Sequence, residues 1–322
     1  MTGKIKAVVL AAGKSKRMNS EMSKVVHRIL GKEIINYTLD ALSETGIKDE
    51  DIIVVVGENR DEVAAVIERD VKYAVQKEQL GTADALISAA IFLEGFEGDV
   101  IVTVGDNPYI KSVQFREMIE NQRGKGIECT LLSAKFPSDP PPYGRILRNS
   151  EGMVESIVEA VDADEEQLKI REVNAGIYVF KNQIVFPLLK KIKSDNEKKE
   201  FYLTDIISVL KNEGYSPDAV ETDNYFTAIG INNRRELSEA QFKFNRDNIR
   251  ELEEEAGVTI FQPETVTIET GVKVGKDTVI FPSTYIGSGT QIGCNCSIGP
   301  FVYLRDVEVA DGEEISHTKI TG

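Results

Sequence analysis

Residues 6–24, KAVVLAAGKSKRMNSEMSK, place an apolar run directly before a loop of small and cationic residues. The run, Ala7–Leu10, predicts a buried strand that ends at Ala11, Ala12 and Gly13. Four cationic residues follow within the loop: Lys14, Lys16, Arg17 and Lys24. Such a loop binds phosphate because its backbone N–H groups approach the anion and its cations neutralise the charge. The stretch therefore predicts a phosphate site at the end of the first strand of an α/β domain.

The sequence after this loop alternates between short apolar runs and segments with helical periodicity. The predicted strands are Lys6–Leu10, Asp51–Val56, Lys72–Val75, Asp99–Val104 and Glu128–Ala134. The predicted helices are Glu33–Glu44, Asp61–Ile67, Thr82–Phe92, which Thr82 would cap, and Ser112–Gln122. This alternation favours a parallel, three-layer α/β sheet. Because such sheets bind ligands at the carboxyl ends of their strands, Gly13 and Asp106 are expected at the same site.

The rhythm changes after Lys135, where a proline-rich loop and short strands predict a lobe inserted on the substrate side. Thr227–Ile231 is expected to close the sheet. Arg235–Glu255 is predicted to form a polar helix that serves as a connecting arm. These observations divide the chain into residues 1–233, a linker helix at 234–257 and a C-terminal module at 258–322.

The C-terminal module carries apolar residues at a spacing of six. The positions are Ile268, Val274, Ile280, Ile286, Ile292, Ile298 and Leu304. Glycine follows four of these positions directly. A six-residue period fits neither an α-helix nor an ordinary strand, and it indicates a β-solenoid. The register slips after Leu304, so about three coils are expected.

Composition narrows the class of protein. The 322 residues carry a formal net charge of −15, which argues against nucleic-acid binding through the overall field. The three cysteines do not form a disulfide framework, and no membrane-spanning run is apparent. A protein of the cytoplasm without nucleic-acid or membrane partners is therefore expected.

Several motifs resemble those of the sugar-1-phosphate nucleotidyltransferases. VVLAAGKSKRM at residues 8–18 is similar to the family signature LAAG-x-G-T-R-M, which is followed by Pro-Lys. The resemblance continues, in order, at residues 76–83, 105–106, 143–146, 174–176, 202–207 and 231–234. It is strongest to the bacterial bifunctional N-acetylglucosamine-1-phosphate uridyltransferase/glucosamine-1-phosphate acetyltransferase. It implies a Rossmann-like three-layer nucleotidyltransferase domain followed by a short left-handed parallel β-helix.

The resemblance also implies a reaction and a role for each matching residue. The oxygen of a sugar 1-phosphate would attack the α-phosphate of UTP, and pyrophosphate would leave. Arg17, Lys24 and Asp106 would be catalytic, and Asp106 and Asn232 would hold Mg²⁺. The implied nucleotide-binding residues are Leu10, Ala11, Gly13, Gln76, Gln79, Gly81 and Thr82. The implied sugar-binding residues are Gly144, Glu159, Asn174, Tyr202 and Thr204.

The chain departs from the family pattern at several positions. Ser15-Lys16 replaces Gly-Thr, and Ser23 replaces the proline before the lysine. Val104 replaces an aromatic residue, and Ala160-Val161-Asp162 replaces a His-Lys-Asp run. These changes leave the reaction type in place but weaken the assignment of N-acetylglucosamine as the sugar.

Three alternatives to this function stay open. The nucleotidyltransferase could use another sugar or a thymidine nucleotide, or the chain could be a non-catalytic regulatory subunit that binds nucleotide or sugar. The short solenoid lacks the later coils that carry the family's acetyltransferase site, so no acetyltransferase activity is expected. Similar solenoids pack as trimers, and a homotrimer through the β-helix is expected here.

Overall fold

The computed structural model describes residues 4–13 and 15–322, without the side chain of Lys16. Lys14 and the Lys16 side chain, both predicted to line the phosphate loop, therefore lie outside the described residues. The chain forms two compact units. The first comprises the chain up to His27 together with Ile34–Ile231, and the second comprises Arg28–Glu33 together with Asn232–Gly322.

Strands and helices alternate through the first 231 residues. The strands are β1 (Ile5–Leu10), β2 (Arg28–Ile29), β3 (Lys32–Glu33), β4 (Ile52–Val56), β5 (Lys72–Val75), β6 (Asp99–Val104), β7 (Cys129–Lys135), β8 (Arg145–Arg148), β9 (Val154–Val158), β10 (Glu172–Lys181) and β11 (Asp218–Thr222). The helices are α1 (Ile34–Ser43), α2 (Arg60–Ala64), α3 (Thr82–Ser88), α4 (Ala90–Leu93), α5 (Ser112–Lys125), α6 (Glu165–Leu168), α7 (Asn182–Leu188) and α8 (Ile206–Asn212).

The first unit is built on a sheet of order β11-β7-β10-β6-β1-β4-β5, with β8 and β9 attached beside β10. Successive residues of β1 enter opposite apolar layers, with Ala7 and Val9 in one layer and Val8 in the other. Burial of both faces explains why β1 reads as a continuous apolar run. The three-layer α/β fold is confirmed.

The five predicted strands, β1, β4, β5, β6 and β7, all run in one direction, but β10, which lies between β6 and β7, runs antiparallel to both. A strand buried on both faces carries no direction in its pattern of apolar residues, so the sequence could not show this reversal. The inserted β8–β9 hairpin also pairs antiparallel with β10. The predicted lobe is therefore partly continuous with the main sheet.

Two predictions for the first unit are wrong. The edge strand is Asp218–Thr222, whereas Tyr225–Ala228, in the segment expected to close the sheet, is a 3₁₀ turn. Three of the five residues of this edge strand, Asp218, Glu221 and Thr222, are polar, so it lacked a strong apolar signal. The helix predicted from Thr82 is interrupted at Ala89, and its N-cap is Gly81 rather than Thr82.

The second unit contains α9 (Arg234–Glu254), the β2–β3 hairpin and a solenoid. The solenoid strands are β12 (Thr259–Ile260), β13 (Thr267–Ile268), β14 (Lys273–Val274), β15 (Val279–Ile280), β16 (Tyr285–Ile286), β17 (Gln291–Ile292), β18 (Ser297–Ile298), β19 (Val302–Arg305), β20 (Glu308–Val309), β21 (Glu314–Ile315) and β22 (Thr318–Thr321). They form three parallel sheets of four, four and three strands. The short β-helix is therefore confirmed.

The apolar residues at a spacing of six form the interior of this β-helix. Ile268, Ile286 and Leu304 pair in register in one sheet, and all three are buried. Beyond Leu304 the spacing shortens, yet β20 and β21 still pair with the preceding coil. The register slip therefore does not end the coil. Among the described residues, no helix is long and apolar enough to span a membrane.

Candidate active site

A cavity of about 270 Å³ lies at the carboxyl ends of β1 and β6 in the first unit. Its lining includes every residue predicted to bind nucleotide: Leu10, Ala11, Gly13, Gln76, Gln79, Gly81 and Thr82. Lys24 and Asp106 line it as well. Because these residues come from distant parts of the sequence, their convergence depends on the fold. The carboxyl edge of the sheet therefore carries a candidate nucleotide site.

The loop before α3 is held tightly against residues 201–203. The N–H of Phe201 donates to Leu80 O (2.7 Å), and the N–H of Ala83 donates to Phe201 O (2.9 Å). A Cβ on Gly81 would lie 2.4 Å from Phe201 O, and the φ of Gly81 is +125°. Only glycine fits there. The Thr82 hydroxyl accepts the N–H of Leu203 (2.9 Å), so Thr82 joins the two segments rather than capping α3.

The two glutamines predicted to read the base also bind the protein. The Gln76 amide donates to Gly81 O (3.1 Å) and to the Asp84 carboxylate (2.8 Å). The Gln79 amide donates to Ala12 O (2.6 Å). These bonds fix both side chains at the cavity wall. They use both amide hydrogens of Gln76 and one of the two amide hydrogens of Gln79. Gln76 and Gln79 therefore shape the cavity in addition to any contact with a base.

Lys24 and Asp106 form an ion pair at the cavity. The backbone around Asp106 is fixed by the N–H of Ile231, which donates to Asp106 O (2.8 Å). A Cβ on Gly230 would lie 3.1 Å from Asp106 Oδ1, so glycine leaves space beside the carboxylate. Arg17 lies on the surface in a 3₁₀ turn (Lys16–Met18) and does not line this cavity.

The residues predicted to bind the sugar form a second, connected group. The Thr204 hydroxyl donates to the Glu159 carboxylate (3.1 Å). A Cβ on Gly144 would lie 3.4 Å from the same carboxylate, and the N–H of Asn174 donates to Gly144 O (2.9 Å). The Tyr202 hydroxyl is buried and finds no hydrogen-bond partner within residues 4–13 and 15–322.

Carboxylates in this second group are held in an unfavourable environment. Burial raises the pKa of Glu159, and the hydrogen bond from Thr204 offsets only part of the shift. Burial, together with the nearby charge of Glu159, raises the pKa of Asp205 to about 6. The pKa of Tyr202 is raised to about 12 by burial and by the surrounding carboxylates. Shifted pKa values cluster at functional sites, and here they occur in the group of residues predicted to bind the sugar.

The structure shows further residues at the site that sequence reasoning did not identify. Ala12, Val25, Ala85, Val104 and Glu200 also line the cavity. Glu200 comes directly before Phe201, which bonds to the loop that contains Gly81. This position in the sequence is the signal that could have indicated Glu200. A second cavity of about 580 Å³ shares Ala12, Gly13 and Gln79 with the first. The site is therefore larger than the predicted residues alone.

Asn232 is the second predicted metal ligand. It belongs to the β-helix unit, where it is the first residue of the segment Asn232–Gly322. Its N–H donates to the Glu236 carboxylate (2.6 Å), just before α9 begins. Its pairing with Asp106 stays a prediction.

The α/β fold places Lys24, Asp106 and Gly81 around a cavity at the carboxyl end of β1, which is where such sheets bind nucleotides. A family model described as nucleotidyl transferase matches residues 6–233. The bifunctional protein GlmU of Geobacillus thermodenitrificans is 39% identical over 97% of this chain and 67% of the relative. GlmU of Caldanaerobacter subterraneus is 40% identical over 98% and 67%, and that of Pelotomaculum thermopropionicum is 39% identical over 98% and 77%.

The chain belongs to the nucleotidyl transferase family and, within it, to the GlmU family. The expected enzyme class, a sugar-1-phosphate uridylyltransferase resembling the UDP-N-acetylglucosamine pyrophosphorylases, is thereby confirmed.

Proposed function

We propose that the protein condenses UTP with a sugar 1-phosphate, N-acetylglucosamine 1-phosphate in the first instance, to a UDP-sugar and pyrophosphate. The observation that carries this proposal is the convergence of Lys24, Asp106 and all seven predicted nucleotide-binding residues on one cavity. The attacking phosphate oxygen is already an anion, so no protein nucleophile is needed. Catalysis then rests on alignment and on neutralising the charge of the transferred group.

Each part of the site has a role in this reaction. Gly13 offers its backbone to the phosphates at the end of β1, and Ala11, whose N–H donates to Val55 O, forms the wall beside them. Gln79 and Gly81 form the wall for the base. Lys24 neutralises charge on the phosphates, and Arg17 does so from the surface turn. Glu159, Asn174, Tyr202 and Thr204 would receive the sugar hydroxyls through the polar atoms described above.

Asp106 fits a role in Mg²⁺ binding, since the glycine at position 230 leaves room beside a carboxylate that offers hard oxygen ligands. Asn232 is proposed as the second ligand. When bound, Mg²⁺ would neutralise the triphosphate. The ion pair with Lys24 holds the Asp106 carboxylate in place.

Pyrophosphate release over four nucleoside triphosphates and a panel of sugar 1-phosphates tests the proposal. We expect the highest kcat/KM with UTP and N-acetylglucosamine 1-phosphate. A higher value with another sugar or with thymidine triphosphate selects that alternative, and folded protein without turnover on any pair overturns the proposal. Omission of Mg²⁺ should abolish turnover.

The 322 residues are also expected to transfer no acetyl group from acetyl-CoA. A cytoplasmic location and trimeric assembly stay predictions.

Asp106→Ala provides the matched mutational test. Asp106 and Asp218 each pair with a lysine in the first unit, and both side chains are 15% exposed. We expect Asp106→Ala to lower turnover by about a hundredfold or more, because it removes charge stabilisation at the reacting phosphate. Asp218→Ala should leave turnover within about twofold of the wild type. Equal losses in the two variants would contradict a catalytic role for Asp106.

A further inference from the structure

The two serines that replace family glycine and proline around Lys24 are both hydrogen-bonded. The N–H of Lys24 donates to the Ser15 hydroxyl (2.6 Å). The N–H of Ser23 donates to both carboxylate oxygens of Glu62 (2.9 and 3.0 Å), a bond that a proline could not make. Ser23 is itself buried. The backbone on either side of the Ser23–Lys24 peptide is therefore fixed by side chains.

Asn59 connects this backbone to the nucleotide cradle. Its amide nitrogen donates to Ala11 O (3.0 Å) and to the Ser23 hydroxyl (2.9 Å). Its amide oxygen accepts the N–H of Gly57 (2.9 Å). One side chain thus joins the end of β1, the end of β4 and the residue before Lys24. Both amide hydrogens and the carbonyl oxygen have partners, so the orientation of the amide is fixed.

This arrangement matters because phosphoryl transfer depends on where the charges lie. Lys24 Nζ is paired with Asp106, and its side chain is 19% exposed. A serine at position 23 restrains φ less than a proline does, although its φ of −59° is one that proline adopts. The bonds from Asn59 and to Glu62 supply the restraint that the ring would have provided. A small displacement of a positioned charge can lower a rate by about a hundredfold.

We propose that Asn59 is a positioning residue of the transfer reaction, which sets Lys24 against the phosphates by tying Ser23 to Ala11, with Glu62 as its second support. This inference rests on the proposed function.

The first experiment is a rescue. Asn59→Ala should lower kcat by about tenfold, while KM for the sugar 1-phosphate stays within about twofold. Adding Ser23→Pro to Asn59→Ala should restore part of the lost kcat, because the ring fixes φ near its present −59° although it removes the N–H that donates to Glu62. Asn121→Ala is the matched control, since the Asn121 amide also bridges two groups, Thr130 (3.3 Å) and Asp218 (3.1 Å). Its kcat should be unchanged.

Ser23→Ala gives an independent variant if Asn59→Ala does not fold. It removes the hydroxyl that accepts from Asn59 but keeps the N–H that donates to Glu62. We expect kcat to fall by about threefold to fivefold with an unchanged melting temperature. A full loss of kcat without rescue by Ser23→Pro, or an Asn59→Ala enzyme with wild-type kcat, overturns the proposal.

A second readout needs no turnover. Trace acylation of lysine amines, followed by mass spectrometry, measures how accessible Lys24 Nζ is relative to Lys48, whose side chain is 74% exposed. We expect Asn59→Ala to raise the Lys24 rate about threefold or more by loosening its pair with Asp106, and Asn121→Ala to leave it unchanged. An unchanged Lys24 rate in Asn59→Ala contradicts the proposal. Because labelling proceeds without substrates, failure of the proposed reaction is distinguished from failure of this inference.

Discussion

Two glutamates, one in each unit, have pKa values shifted in opposite directions. Glu269 in the β-helix accepts bonds from the N–H of Ser288 (2.8 Å), from Arg305 (2.7 Å) and from the Tyr285 hydroxyl. Burial pushes its pKa up, but these donors outweigh burial and the pKa is lowered. Burial raises the pKa of Glu159, which has the Thr204 hydroxyl as its hydrogen-bond donor.

This difference separates a closed polar network from an open one. In the β-helix each member of the network has a partner, and Arg305 also donates to the Tyr303 hydroxyl (2.9 Å). In the α/β unit the Tyr202 hydroxyl has no partner among the described residues. An unpaired buried hydroxyl costs stability, and one beside a sugar site is a group that a bound sugar would complete. The comparison predicts that the first network stabilises the fold and the second binds substrate.

The largest expected effect comes from neutralising each glutamate. Glu269→Gln should lower the free energy of unfolding by about 3 kcal/mol, because it leaves Arg305 without its charge partner. Glu159→Gln should leave the free energy of unfolding within about 0.5 kcal/mol of the wild type, since it keeps an acceptor for Thr204. It should, however, raise KM for the sugar 1-phosphate. Urea unfolding followed by circular dichroism and steady-state kinetics measure these effects. Similar losses of stability in both variants would remove the distinction.

A pair of glycines sharpens the same contrast within the second unit. Gly31 and Gly271 both have a φ of +83°, but a Cβ on Gly31 would lie 2.6 Å from Glu269 Oε2, whereas a Cβ on Gly271 meets no atom within 4 Å. Gly271→Ala should cost about 1 kcal/mol through backbone strain alone. Gly31→Ala should cost about 2 kcal/mol, and the excess should disappear in a Glu269→Ala background. A persistent excess there would show that the contact with Glu269 is not its cause.

The segment that contains Gly31 shows which part of the fold could not be predicted from the sequence. The six-residue period predicted the β-helix because each coil repeats locally, and the apolar run at Ala7–Leu10 predicted β1 for the same reason. Arg28–Glu33 belongs to the second unit because of contacts between distant parts of the sequence. One of them is the hydrogen bond from the N–H of Thr270 to Leu30 O (3.1 Å). Such a pairing leaves no local pattern.

The candidate site, like the fold, could be predicted from the sequence only in part. The motifs indicated which residues converge on the cavity, but they did not show that Thr82 bonds to Leu203 or that Asn59 bonds to Ala11. Both contacts are made between segments that only the folded sheet brings together. Residue types with a family role were therefore predictable, whereas the residues that support them were not.

Two tyrosines test the comparison at the level of one hydroxyl. Tyr285→Phe removes a donor to Glu269 and should lower the free energy of unfolding by about 1.5 kcal/mol, with unchanged turnover. Tyr202→Phe removes a buried hydroxyl that has no partner among the described residues, so stability should change by less than about 0.5 kcal/mol. Its KM for the sugar 1-phosphate should rise about tenfold. A loss of stability in Tyr202→Phe equal to that in Tyr285→Phe would mean that its hydroxyl already has a partner.

The smallest expected effect is a gain in stability at Asp205. Its pKa is raised from 3.8 to about 6 by burial and by Glu159, so the folded state binds this proton more tightly than the unfolded state. Stability from this group therefore falls as the pH rises from about 4 to 6, and the full penalty is present above pH 6. After allowance for solvent screening, Asp205→Asn should raise the free energy of unfolding by about 1 kcal/mol at pH 7.5. The gain should shrink as the pH is lowered through 6, whereas Asp223→Asn, at an exposed position, should show no gain at either pH. A gain for Asp205→Asn that is independent of pH would assign it to packing, and Glu159 and Asp205 would then not form an electrostatically strained pair.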